Sequence, residues 1–303
     1  LKGREVKARE RSASRKNTDD NKENPWMLQP VNLQVAGVRC AVHDSDPGRR
    51  EAVVFVHGNP GPMDDWEDLA LAVAAFARVV AMDMPGYGRS EHPRRFDYTI
   101  EGYGRFLGAL LDQLAIDHVH LVMHDFGGPW GLRWAVDHPH QLASTTFINC
   151  GVLAGYRWHR FARIWQTPLL GELAQLVATS RGMHRALNAM SPRPMPRSFT
   201  DRIMKYADWG HKRAVLKLYR ASRGITQAPS SAFEAPFAKT LPVCVIWGAG
   251  DPFIPPEFAE RQKSYFPLAE IHLLQGLGHW PFIDDLGAVR TPLVEFLKRN
   301  VGR

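Results

Sequence analysis

The chain has 303 residues, 45% hydrophobic and 23% charged, which is ordinary for a globular enzyme and long enough for one large domain or two small ones. No run of eighteen apolar residues exists, which argues against a membrane-spanning helix, and the charged start has no apolar core segment of a secretory signal. The formal charge of +7 lies partly in Leu1 to Asn24, a polar stretch with too few apolar groups to offset the entropy of ordering. Residues 1–26 are therefore expected to be a disordered basic tail or an extension, with Met27 a plausible natural start.

From about residue 31 short β-rich runs alternate with helical ones. Val31–His43 alternates apolar and polar residues, as a half-exposed antiparallel strand would. Ala52–His57 is a continuous apolar run ending at Gly58, the pattern of a buried strand. A helix over Trp66–Ala77 follows, then a strand over Arg78–Asp83 cut off by Pro85 and Gly86. Tyr98–Leu114 has helical spacing. His118–His124 is a strand that runs without a real loop into a helix over Gly127–His138, and Ser144–Cys150 is another strand. The rhythm then breaks, and residues 151–240 show helical spacing and no strand. Strands resume at Leu241–Trp247 and Glu270–Gln275, and a last amphipathic helix covers Leu286–Lys298.

This alternation predicts an α/β protein with a mostly parallel central sheet flanked by helices. Its core would be residues 27–150 and 241–303, with residues 151–240 inserted after the sixth strand as a helical lid, or cap. Cys40, Cys150 and Cys244 are odd in number and fall in expected strands, so buried core thiols are predicted. Thiols of this kind suit a reducing cytoplasm.

Active sites of open parallel sheets form beyond the carboxyl ends of the strands. Val122–Gly128 joins strand to helix with Asp125 at the apex, as a nucleophile elbow requires. Taken alone, Asp125 is equally well read as a helix N-cap. Two later features decide between these. Asp251 follows one strand in Gly248-Ala-Gly-Asp, and His279 follows the last strand in Leu277-Gly-His-Trp-Pro. Nucleophile, acid and histidine thus stand in the chain order of a hydrolase triad. Asp284 and Asp285 compete as the acid, but a helix start suits them better. The loop His57-Gly-Asn-Pro-Gly-Pro62 would bring the N–H of Asn59 beside the elbow, and with the N–H of Phe126 it would make an oxyanion hole.

These segments (HGNPGP, DMPGYGRS, HDFGG, GAGD and LGHWP) together resemble the epoxide hydrolase and haloalkane dehalogenase branch of the α/β-hydrolase superfamily, over residues 31 to 300. The resemblance implies that Asp125 attacks an sp³ carbon and forms an alkyl ester, which water activated by His279 and Asp251 then hydrolyses. An epoxide oxygen leaves as an alkoxide and needs a proton, whereas a halide needs N–H donors. Leu218-Tyr-Arg220 resembles the lid segment that carries one epoxide-protonating tyrosine, Tyr219; Tyr156, and after it Tyr206, are candidates for the second. Phe126 replaces the halide-holding tryptophan usual after a dehalogenase nucleophile. Against this, Asn59 matches the halide-binding asparagine of one dehalogenase subgroup, Met123 is bulkier than the glycine common in epoxide hydrolases, and Trp158, Trp165 and Trp209 offer indole N–H groups.

Epoxide hydrolysis is the preferred expectation and haloalkane dehalogenation the alternative. A catalytically silent ligand receptor on the same scaffold is the reading from another class. Trp158, Phe161, Trp165, Trp209 and Trp280 are expected to line a pocket for a small apolar or aromatic substrate. No metal or organic cofactor, no nucleic acid and no membrane partner is expected, and the chain would be a monomer or homodimer.

Overall fold

The computed structural model describes residues 30–227 and 236–303. The tail expected over residues 1–26, and part of the expected insertion, lie outside the described residues.

Strands buried along nearly their whole length need cover on both faces, and the centre of this molecule is made of such strands. In chain order the strands are β1 (Val31–Val35), β2 (Val38–Asp44), β3 (Glu51–Val56), β4 (Val79–Met82), β5 (His118–His124), β6 (Leu142–Ile148), β7 (Val243–Gly248) and β8 (Glu270–Leu274). They form one sheet in the order β1-β2-β4-β3-β5-β6-β7-β8. β2 is antiparallel to both neighbours, and every pairing without β2 is parallel. The stretch Val31–His43 is thus a hairpin rather than one strand. The chain reverses at Ala36 and Gly37, both at positive φ (47° and 80°). A tight hairpin turn demands that geometry, but alanine seldom supplies it, so the sequence carries only half of the usual signal.

The helices are α1 (Glu67–Ala74), α2 (Ile100–Gln113), α3 (Gly127–Asp137), α4 (Arg160–Gln166), α5 (Leu170–Val177), α6 (Ser180–Met190), α7 (Arg197–Lys205), α8 (Trp209–Ala221), α9 (Pro236–Thr240), α10 (Glu257–Arg261), α11 (Pro281–Asp284) and α12 (Leu286–Asn300). Successive side chains of a strand point to opposite faces. Val54, Val56, Leu121 and Met123 accordingly bury one way, against Tyr103, Phe106 and Leu110 of α2 and Trp130 and Trp134 of α3. Val53, Phe55 and Val122 bury the other way, against Leu69 and Val73 of α1 and Leu293, Phe296 and Leu297 of α12. Each fully buried aliphatic or phenyl side chain contributes about 1.5–3 kcal/mol. This two-sided core fixes the sheet and therefore the positions of its strand ends. Cys40, Cys150 and Cys244 are free and buried.

α4 to α9 all lie between β6 and β7, with no strand among the described residues of this stretch. Residues of α4 to α8 meet the carboxyl ends of the parallel strands across a cavity of about 350 Å³.

Candidate active site

Asp125 stands where β5 hands over to α3, at φ 49°. A non-glycine residue in that region is strained and persists only where its surroundings enforce it. Here glycine removes the obstacles. A β-carbon on Gly127 would run into the carbonyl oxygen of Val56, and one on Gly58 would run into the Asp125 side chain. The chain can therefore turn sharply and lift the carboxylate over the strand end, at the amino end of α3, where the helix dipole favours negative charge.

The partners converge from four other strand ends. The Asn59 N–H, after β3, donates to Asp125 Oδ1 at 2.7 Å. His279, after β8, has Nε2 3.4 Å from Asp125 Oδ2. Its Nδ1 donates to Asp251 Oδ2 at 2.7 Å. Asp251, after β7, also accepts from Asn149 Nδ2 (2.7 Å) and, on Oδ1, from the N–H groups of Phe253 (2.7 Å) and Ile254 (3.0 Å). Asn149, after β6, in turn accepts from Gly248 N–H at 3.0 Å. The three residues predicted from chain order are thus brought together. Asn149 belongs to none of the motifs above, and its brace on Asp251 has no local sequence signal.

Burial alone would drive the proton off His279, but the charge of Asp251 and the hydrogen bonds and charge of the two carboxylates push it up to about 10. Burial likewise works to raise Asp125, and the hydrogen bond and charge of His279, with a smaller contribution from His124, bring it below the usual carboxylate range. The resting site is therefore an imidazolium between two carboxylates. His124 is different: burial, then the charge of His279, hold it down to about 3. Its neutral ring donates from Nε2 to the His279 carbonyl at 2.8 Å and supports the turn that carries His279. Asp285 caps α12 through Ala288 N–H, as the helix-start reading expects, whereas Asp284 ends α11 and accepts from Gly278 N–H at 2.6 Å, so it starts no helix.

The HGNPGP and DMPGYGRS segments hold each other. Buried Asp83 accepts from the N–H groups of Met63 and Arg89, both at 2.7 Å. His57 Nε2 accepts from Met84 N–H at 2.9 Å, while its Nδ1 donates to the Gly58 carbonyl at 2.8 Å. The Asn59 loop is thereby fixed from both sides. The Asn59 side chain accepts from the Tyr87 hydroxyl (3.4 Å) and donates to the Tyr219 oxygen (3.2 Å).

Across the cavity, Tyr219 of α8 is buried with its ring edge-on to Phe126, 5.1 Å between centroids. Trp158 lies nearly parallel to Phe126 at 6.0 Å, and Trp165 packs on Tyr219 at 4.8 Å. Phe161 and Trp280 also line the cavity. Three expectations need correction. Tyr156 lines the cavity, but its O–H donates to the Phe253 carbonyl at 3.0 Å, so the proton needed for a second donor is already engaged. Trp209 is 60% exposed, lies under Lys212, and is not part of the cavity wall. Tyr206 is likewise outside the cavity, under Arg89 and Lys205.

Residues 51–286 match the family model described as the alpha/beta hydrolase fold. The chain belongs to that family. This alpha/beta hydrolase is 24% identical over 296 residues to a 2-hydroxy-6-oxononadienedioate/2-hydroxy-6-oxononatrienedioate hydrolase of Burkholderia vietnamiensis, covering 89% of this chain and 95% of that one. It is 28% identical over 246 residues to haloalkane dehalogenase 2 of Mycobacterium bovis, covering 76% and 82%. Among solved structures, the haloalkane dehalogenase DbeA of Bradyrhizobium elkani superposes with a TM-score of 0.76 at 22% identity, over 89% of this chain and 97% of that one. The alpha/beta hydrolase is a hydrolytic enzyme, and none of these names contains an epoxide.

Proposed function

We propose that this alpha/beta hydrolase opens apolar epoxides to vicinal diols through a covalent ester on Asp125. The observation that carries the reading is the Tyr219 hydroxyl. Its oxygen accepts from the Asn59 amide, so its own hydrogen is left to donate into the cavity above Asp125. Burial first, and then the charge of Asp125, hold the phenol well above its ordinary pKa, so it stays protonated until an alkoxide forms beside it. Phe126, beside the nucleophile, has no N–H to offer a halide.

In the first half-reaction Asp125 Oδ2 bonds to an epoxide carbon, the carbon–oxygen bond breaks, and the leaving oxygen takes the Tyr219 proton. Alkylation removes the Asp125 charge, one of the two that keep His279 protonated. The imidazolium then returns a proton to the Tyr219 phenolate through water, and neutral His279 becomes a base. In the second half-reaction it takes a proton from water attacking the ester carbonyl. The oxyanion on Oδ1 is met by the Asn59 N–H, which already bonds that atom, and by Phe126 N–H at the start of α3. Collapse expels the diol, protonated by His279, and leaves Asp125 as the carboxylic acid, whose proton passes to the neutral His279 and restores the resting carboxylate and imidazolium. Helices α4 to α8 serve as the lid over this chemistry, and Asp251 keeps the imidazole oriented. A complete charge relay of this kind argues for turnover rather than a silent receptor.

A second reading, haloalkane dehalogenation by the same ester, is favoured by one observation. The buried Trp158 indole N–H lines the cavity with no acceptor among the described residues. Together with the Asn59 amide it would cradle a leaving halide, and the mycobacterial relative bears a dehalogenase name. A side-by-side assay with styrene oxide and 1-bromohexane separates the two. We expect diol from styrene oxide, lowered at least about 100-fold in Tyr219→Phe, the range of a lost general acid. Bromide release without diol, lost in Trp158→Phe and indifferent to Tyr219→Phe, would replace the first reading by the second.

A further inference from the structure

α5 is inverted. Its buried residues are Gly171 and Gln175, while its leucines face water. Leu169 is 84% exposed, Leu173 55%, Leu176 60% and Val177 66%, and Leu170 is exposed too. Five of the nine exposed large apolar side chains among the described residues therefore sit within nine consecutive positions. Single exposed leucines are normal on protein surfaces, but a continuous stripe along one helix is not. Val177 belongs both to this stripe and to the cavity wall, next to Ala178, Thr179 and Gly182. The cavity therefore meets the surface at the end of the leucine stripe.

Charge indicates what covers this face. Residues 151–227 contain 14 Lys and Arg against 3 Asp and Glu, a net +11, whereas the rest of the chain, from the total of +7, carries a net −4. Arg157 and Arg160 before the stripe, and Arg181 and Arg185 after it, are exposed and form no ion pair with any described residue. A second copy presenting the same face would meet it with like charge. An apolar helix stripe flanked by arginines instead matches the interfacial layer of an anionic bilayer, with leucines among the acyl chains and guanidinium groups at the headgroups.

We infer that the α5 face docks on anionic lipid surfaces and admits apolar substrate from the lipid to the cavity at Val177. The second half of this statement rests on the cavity being the substrate site; the first half does not. This docking departs from the expectation of no membrane partner, which rested on the absence of a spanning segment; no helix of the described residues is long and apolar enough to cross a membrane. Facing, which periodicity alone does not give, is what distinguishes a lid helix from a docking helix.

The test is co-sedimentation of the full chain with phosphatidylcholine vesicles, with or without phosphatidylglycerol. We expect binding to the anionic vesicles that weakens as salt is raised. Leu173→Ser/Leu176→Ser and, separately, Arg181→Glu/Arg185→Glu should each weaken it about tenfold or more. Both variants keep the basic residues before position 27, and all four side chains are exposed, so the melting temperature should not change. Wild-type protein left in the supernatant, or variants that bind as the wild type does, would overturn the inference. So would a concentration-dependent dimer that Leu173→Ser/Leu176→Ser dissolves while vesicles bind nothing. The readout is binding and not turnover, so it fails or succeeds independently of the leaving-group assignment.

Discussion

His279 carries the titration that follows most directly from the geometry. In the folded chain it is held up to about 10 against an ordinary 6.5, because two carboxylates outweigh its burial. A raised folded pKa means that the native state binds the extra proton between these two values. That contribution to stability is complete below pH 6.5 and is lost as pH rises through 10. Denaturant unfolding should therefore show stability falling across this window. In Asp125→Asn the window should narrow, and the imidazole titration followed by NMR should move down towards neutrality. An unchanged His279 titration in that variant would contradict the switching of the base by alkylation of Asp125.

At the scale of elements, the turn from β5 to α3 is where sequence and structure agree most closely. Gly127 is needed there because the elbow passes against the Val56 carbonyl. Gly127→Ala should lower stability by about 1–3 kcal/mol through overpacking against backbone that has little room to move, which a thermal melt measures. A melting temperature equal to the wild type would mean that the turn is looser than described. The sheet and the grouping of Asp125, Asp251 and His279 were legible because the buried strands are largely apolar runs and these residues stand within a few positions of strand ends. The hairpin at Ala36 was not legible, because alanine does not announce a positive φ. Neither was the Asn149 brace on Asp251, which joins two residues 102 positions apart. The facing of side chains on the helices between β6 and β7 was least legible of all. Tyr156 and Tyr219 look alike as sequence, yet one hydroxyl is spent on the Phe253 carbonyl and the other faces the cavity.

Across the whole molecule, the basic helices between β6 and β7 oppose a sheet whose strand ends carry the acids, and the apolar cavity lies between the two. The Asn59 loop, the elbow, the Asn149 brace, the Asp251 loop and the His279 turn are each supplied by a different strand, and Tyr219 comes from the helical side. The proposed chemistry requires that Asp125 becomes covalently bonded to substrate during turnover. The most direct measurement is the intact mass of His279→Gln after incubation with styrene oxide, followed by peptide mapping. With nucleophile and oxyanion donors intact but the base removed, the ester should form and persist. The mass should rise by one molecule of styrene oxide per chain, mapped to Asp125 and absent from Asp125→Asn/His279→Gln. An unshifted mass, or an adduct mapped to another residue, would contradict the claim.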